Sequence, residues 1–357
     1  MFLYGLLLFP LFCAKKVGKI EESEKAETEK IIIEASSIER KQKLKYLDPL
    51  FFEYSKGKEK IDTKTFEEMF NKATAFYIDG RADDAAQIFY LLSENAPNER
   101  YRDISSFNLA SSYERLGKYN EAKAAFQSLI TTSNFDDIRT DSLLRIARIK
   151  ISLGEFPDGL SELFTHEDLF VRIKSKALYS VWLAYNGIEE AGSITQELLS
   201  KVSSDIDDET RAAIYFARGL WFFNEAKKVI LPVDAKALEE AIDSIAELIL
   251  KAQVSFFETI KTKEAWWVLA SLYELGNTYS TLYEQLLGQP PPDDLSDEEK
   301  RIYIEELKKS LAPALKRARE VYEKNIDFAK RLKFENVWEK KTQEQISKLD
   351  KIVSGVE

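Results

Sequence analysis

The residues able to do chemistry are few and scattered. His166, the one histidine of the chain, lies in LFTHEDLF between helical stretches. It reads either as a general base or as a loop or capping histidine. SSDIDDET, from Ser203 to Thr210, sets carboxylates at the spacing that opens an oxygen-ligand calcium loop. Such a loop needs a sharp-turn glycine and a bidentate glutamate at its twelfth position. Both are missing, and Ile214 to Phe216 stand where the glutamate belongs. A helix N-terminus that uses aspartates against its dipole explains the stretch better. Trp266 and Trp267 could stack a ligand, or at least one could be core. No P-loop, glycine-rich dinucleotide turn or Gly-x-Ser-x-Gly occurs. With one His and one Cys, the usual zinc site lacks its ligands. The expectation is no catalytic residue, no metal and no cofactor.

Composition asks instead for a helical framework. Among 357 residues there are 13 Gly and 9 Pro, with 45% hydrophobic and 31% charged residues. Few breakers among many Glu, Lys, Leu and Ala favour an all-α chain. The net charge of -10 argues against nucleic acid, which needs a basic face.

Helical punctuation then repeats. Gly80, Gly117 and Gly154 fall at intervals of 37 residues, each closing one helical stretch and opening a turn into the next. Around the second, Leu109, Ala110 and Tyr113 precede the glycine, and Tyr119, Ala122 and Phe126 follow. Around the first stand Ala73, Phe76, Ala85, Phe89 and Pro97, with Thr65 and Glu68 spaced as a capping box. Around the third stand Ile146, Ala147 and Phe156, but Gly159 replaces the small alanine and Leu163 the ring. Small residues permit two antiparallel helices to approach, rings fill the splay, and glycine takes the positive φ that ends a helix. Each hairpin leaves an apolar face that the next must cover.

This pattern resembles the tetratricopeptide repeat, a helix-turn-helix unit of about 34 residues. The resemblance implies a solenoid of stacked antiparallel helix hairpins. It also implies a concave partner-binding groove lined by the first helix of each unit. Carried onto this chain, the lining is Phe70, Thr74 and Tyr77, then Ser111, Glu114 and Arg115, then Leu144, Arg148 and Ile151. Rings beside arginines suit an extended peptide or a partner helix, and an acidic group on it. Local pairing of the arginines with Glu114 and Asp141 is the plainer alternative. Past Leu163 the pattern loosens into longer helices. Trp182, Ala191 and Leu198 sketch a fourth hairpin, Ala235 to Thr262 reads as one stretch, and AWWVLASLYELG as a first helix. GQPPPDDLSDEE then breaks the chain, with Ser296 and Glu299 as a second capping box.

The N-terminus reads as an address. Phe2 to Phe12 is uniformly apolar, too short to span a bilayer, which takes about 20 residues. It suits a secretion signal. Cys13, the one cysteine, follows directly and resembles the lipidated residue of a bacterial lipoprotein, although Phe12 stands where a small residue is usual and no basic residue precedes the run. The expected organisation is a signal at 1–13, a charged tether at 14–48, tetratricopeptide-like repeats at 49–203, divergent hairpins at 204–288 and C-terminal helices at 289–357. The C-terminal region also resembles that of envelope tetratricopeptide proteins. The expected function is a scaffold or adaptor for protein-protein interaction, tethered by a lipid anchor and facing the periplasm, on the outer membrane. A secretion, outer-membrane assembly or motility component is one alternative. A peptidoglycan- or glycan-associated binding factor is another, and exposure of Trp266 and Trp267 discriminates it.

Overall fold

The computed structural model describes residues 63–354, apart from 204, 233–234 and 292–294. Cys13 and the charged tether lie outside the described residues. Among those described the fold is all-α, with neighbouring helices packed in pairs as in a tetratricopeptide-like solenoid. Two compact units emerge. One holds residues 63–182 with 329–337, the other 183–328 with 338–354.

The first unit is built from α1 (Thr63–Ile78), α2 (Ala82–Asn95), α3 (Glu99–Arg115), α4 (Tyr119–Thr132) and α5 (Asp136–Leu153). Phe66, Phe70, Ala73 and Tyr77 share one face of α1 and are buried, because steps of three and four residues return to the same side. α2 meets them with Ala85, Phe89 and Leu92, and Phe70 packs edge-on against Phe89 at 5.4 Å. α3 starts at Asn98, whose side chain accepts from Tyr101 N at 2.9 Å. Ala110 and Ala122 are both fully buried, as helix-crossing positions must be, and Phe126 lies edge-on to Phe107 at 5.2 Å.

Glycine closes the helices as the sequence predicts, with φ of 75° at Gly80, 66° at Gly117 and 80° at Gly154. The Thr65–Glu68 box does not start α1, which already begins at Thr63. The third hairpin departs further. After Gly154 the chain forms no second α-helix but a 3-10 turn, Leu160–Thr165. Pro157 withholds a backbone donor, and Gly159 takes a left-handed φ of 78° in place of the expected alanine. α6 (Leu169–Tyr185) follows, and the unit boundary falls near its end.

Longer helices make the second unit: α7 (Glu190–Leu199), α8 (Asp208–Lys228), α9 (Ala235–Lys261), α10 (Ala265–Leu287), α11 (Asp297–Leu332) as far as Phe328, and α12 (Val337–Ser354) from Trp338 on, while the end of α11 and the start of α12 belong to the first unit. α9 coincides with the stretch expected from the sequence. Its core gathers Phe216, Phe256 and Trp267, with ring centroids 5.4 to 5.6 Å apart around Phe216. Gly276 is required by close approach: a Cβ there would lie 2.2 Å from the ring of Tyr322. The α11 capping box forms reciprocally. Ser296 N donates to Glu299 Oε2 at 2.9 Å, and Glu299 N to Ser296 Oγ at 3.4 Å.

Candidate partner-binding site

The nine residues assigned to the first-helix face are all buried. Phe70 is a core ring between Phe66 and Phe89. Leu144 and Ile151 are packed, Thr74 is buried with an unpartnered hydroxyl, and Ser111 donates to the Phe107 carbonyl of its own helix at 2.9 Å. Glu114 accepts from Arg145 at 2.8 Å and from Arg148, forming an enclosed charge cluster between α3 and α5. Local pairing is therefore part of the arrangement at Arg148, but inside the protein rather than on a solvated face.

Tyr77 and Arg115 do reach a ligand-like segment, and it belongs to the same chain. Residues 332–337 lie along the turn edge of the first two hairpins. Arg115 Nη2 donates to Leu332 O at 2.6 Å, and its guanidinium sits 5.0 Å over the Tyr77 ring and 6.0 Å from that of Phe334. Leu116 and Glu335 form an isolated parallel bridge. Val337 N donates to the hydroxyl of Tyr119 at 2.9 Å. Lys333 Nζ reaches Asp79 O at 3.4 Å, at the carbonyl end of α1 where a cation is favoured. Gly80 makes room for it, since a Cβ there would lie 2.9 Å from that of Lys333.

Burial pushes the Tyr119 phenol above its ordinary range, with Glu114 adding to the shift and the Val337 N–H opposing it. Tyr119 therefore stays a neutral hydroxyl. The sequence marked Gly80, Gly117 and Tyr119 as turn residues, but nothing in the pattern announced that a segment over 200 positions away would lie on them. Lys333 carries the one structural hint. It ends α11 in a left-handed conformation with φ of 48°, where glycine is usual.

The other candidates resolve into structural roles. His166 Nδ1 accepts from Asp168 N at 3.1 Å, and its Nε2 lies 3.2 Å from Asp136 Oδ2. It organises the entry to α6. Asp207 caps α8, accepting from Thr210 N at 2.9 Å, and Asp208 pairs with Arg211. Trp266 and Trp267 are both core, 1% and 2% exposed.

Comparison with protein families matches residues 105–132 to the tetratricopeptide repeat. The chain carries a tetratricopeptide repeat. The matched stretch runs from the buried face of α3 through the Gly117 turn to the end of α4, so it holds both the helix crossing and half of the turn edge. No match is found among curated proteins or among solved structures. A tetratricopeptide repeat points to a protein-protein interaction scaffold, and such proteins are generally non-catalytic.

Proposed function

We propose that this chain is a protein-binding scaffold or adaptor held at a bacterial cell envelope. The repeat at residues 105–132 carries the reading, because its fold builds a binding surface from packed hairpins and brings no catalytic constellation with it. The partner is a protein that offers a short peptide segment, consistent with the way residues 332–337 are held at the turns. Envelope tethering is supported by the apolar run Phe2–Phe12 ending at Cys13, which would carry the lipid in the periplasm-facing outer-membrane form. A role in a secretion, assembly or motility machine is a narrower version of the same reading. Glycan recognition loses its best platform with Trp266 and Trp267 in the core.

Full-length chain expressed with an affinity tag, chemically cross-linked in intact cells and purified from the membrane fraction, tests the reading. A discrete protein cross-linked in stoichiometric amount supports it. Recovery of the chain alone, or in a soluble fraction, opposes it.

A further inference from the structure

We infer that the turn edge formed by Tyr77, Asp79, Gly80, Arg115, Leu116 and Tyr119 is a peptide-reading surface, that its external ligand is a short turning segment with a basic residue followed by an aromatic one, and that Leu332–Val337 is a built-in occupant which such a ligand displaces. The inference rests on the scaffold reading and specifies its surface.

The contacts define a register. A backbone carbonyl two positions before the ring takes the Arg115 guanidinium, and an N–H three positions after it meets the Tyr119 hydroxyl. The basic residue just before the ring reaches Asp79 O. Two of these contacts are made to main-chain atoms, at Leu332 where α11 ends and Val337 where α12 begins, so another peptide that takes the same turn can supply them, while ring and cation give selectivity. This edge does not present two arginines side by side to an acidic ligand. Arg148 is already committed to Glu114, and Arg115 faces a carbonyl and two rings.

Three features make the internal occupant exchangeable. Lys333 is held at a positive φ that is unfavourable for a side-chain-bearing residue. Lys333 and Glu335 are exposed and Phe334 only half-buried, and the pairing to Leu116 is a single bridge rather than a ladder. The surface also keeps an unused donor, since Arg115 Nε is buried with no hydrogen-bond partner. An occupant that fills the edge 99% of the time would weaken an external peptide by about 100-fold, because apparent affinity scales with the vacant fraction.

The probe is a fluorescein-labelled synthetic peptide, AKRLKFENVW, matching residues 329–338. Its anisotropy is titrated with full-length chain and with Phe334→Ala/Val337→Pro. Val337 is the first residue of α12, where proline is tolerated, so the N–H to Tyr119 is removed without ending the helix. The opened variant should bind at least tenfold more tightly than the parent chain. Adding Arg115→Lys and Tyr119→Phe, which keep charge and ring, should lower that affinity at least tenfold. Circular dichroism melts confirm folding of each variant. An opened, folded variant that binds no better than the parent overturns the proposal, as does tight binding indifferent to the Arg115 and Tyr119 changes. Either failure alongside a persisting cross-linked partner would leave the scaffold reading intact and move its surface elsewhere.

Discussion

At the scale of residues, the buried charges decide more than the exposed ones. Glu114 is enclosed with Arg145 and Arg148, whose side chains are 12% and 3% exposed. Removing one partner of an enclosed pair leaves the other charge desolvated, whereas removing both can be close to neutral. Arg148→Met should therefore destabilise the first unit by about 3 kcal/mol, the low end for such pairs because Arg145 remains. Glu114→Gln/Arg148→Met should recover much of that loss in urea unfolding; equal losses would mean that packing rather than charge governs the site. The second unit has its own buried acid. Burial pushes the Glu274 carboxyl above the usual range, against the Asn277 hydrogen bond and the nearby Lys227 and Lys341. A raised folded-state value means the native protein binds that proton more tightly than the unfolded chain. The resulting stability is fully present below the unfolded value and is lost as pH rises through the folded one. Glu274→Gln should thus show a melting difference from the parent that shifts in the variant's favour as pH rises above the ordinary carboxylate range. A difference flat with pH would count against it. Neither cluster was legible in the sequence, because Glu114 and Glu274 sit in ordinary helical contexts and only tertiary packing takes them out of water.

At the scale of elements, what was legible followed from local chemistry. The three turn glycines, the limits of α9 and the Ser296–Glu299 box depend on neighbours within a few residues, and each formed as its sequence dictates. The lost helix of the third hairpin was legible in hindsight, since Gly159 was already the point of departure. First-helix burial was not, because Phe70 and Tyr77 share a face and the pattern alone does not say which face a neighbouring hairpin will cover. Two predictions belong here. Ser296→Ala removes the cap oxygen of α11 and should cost about 1 kcal/mol. Glu299→Gln, which keeps a reciprocal acceptor, should cost less; thermal melts rank the two. Ala122→Leu forces extra carbons into a fully buried crossing and should cost about 1–3 kcal/mol. Lys123 next to it is not simply solvated: its ammonium pairs with Glu155 at 2.8 Å and its side chain is only 20% exposed. Lys123→Leu should therefore lose no more than about 1 kcal/mol, the worth of a partly exposed pair. Equal shifts at the two positions would place the helix phase wrongly.

At the scale of the whole molecule, the question is what would hold a protein of net charge -10 at the envelope proposed for it. No described helix is long and apolar enough to cross a membrane. Anionic lipid would repel rather than retain an acidic chain, so electrostatics does not supply the attachment. Phe2–Phe12 is too short to span, and a single acyl chain gives only marginal binding. A diacylated cysteine would supply two chains, and Cys13 is the one position where the chain offers a thiol. The prediction separates anchor from signal. Cys13→Ser expressed in a bacterial host should leave the membrane pellet for the soluble fraction after a high-salt wash, and metabolic labelling with a fatty-acid analogue should vanish with it. Retention in the pellet without label in either form would show that something other than Cys13 holds the protein there. The cross-linked partner would then be the first candidate for that role, since a scaffold can be kept at a membrane by what it binds.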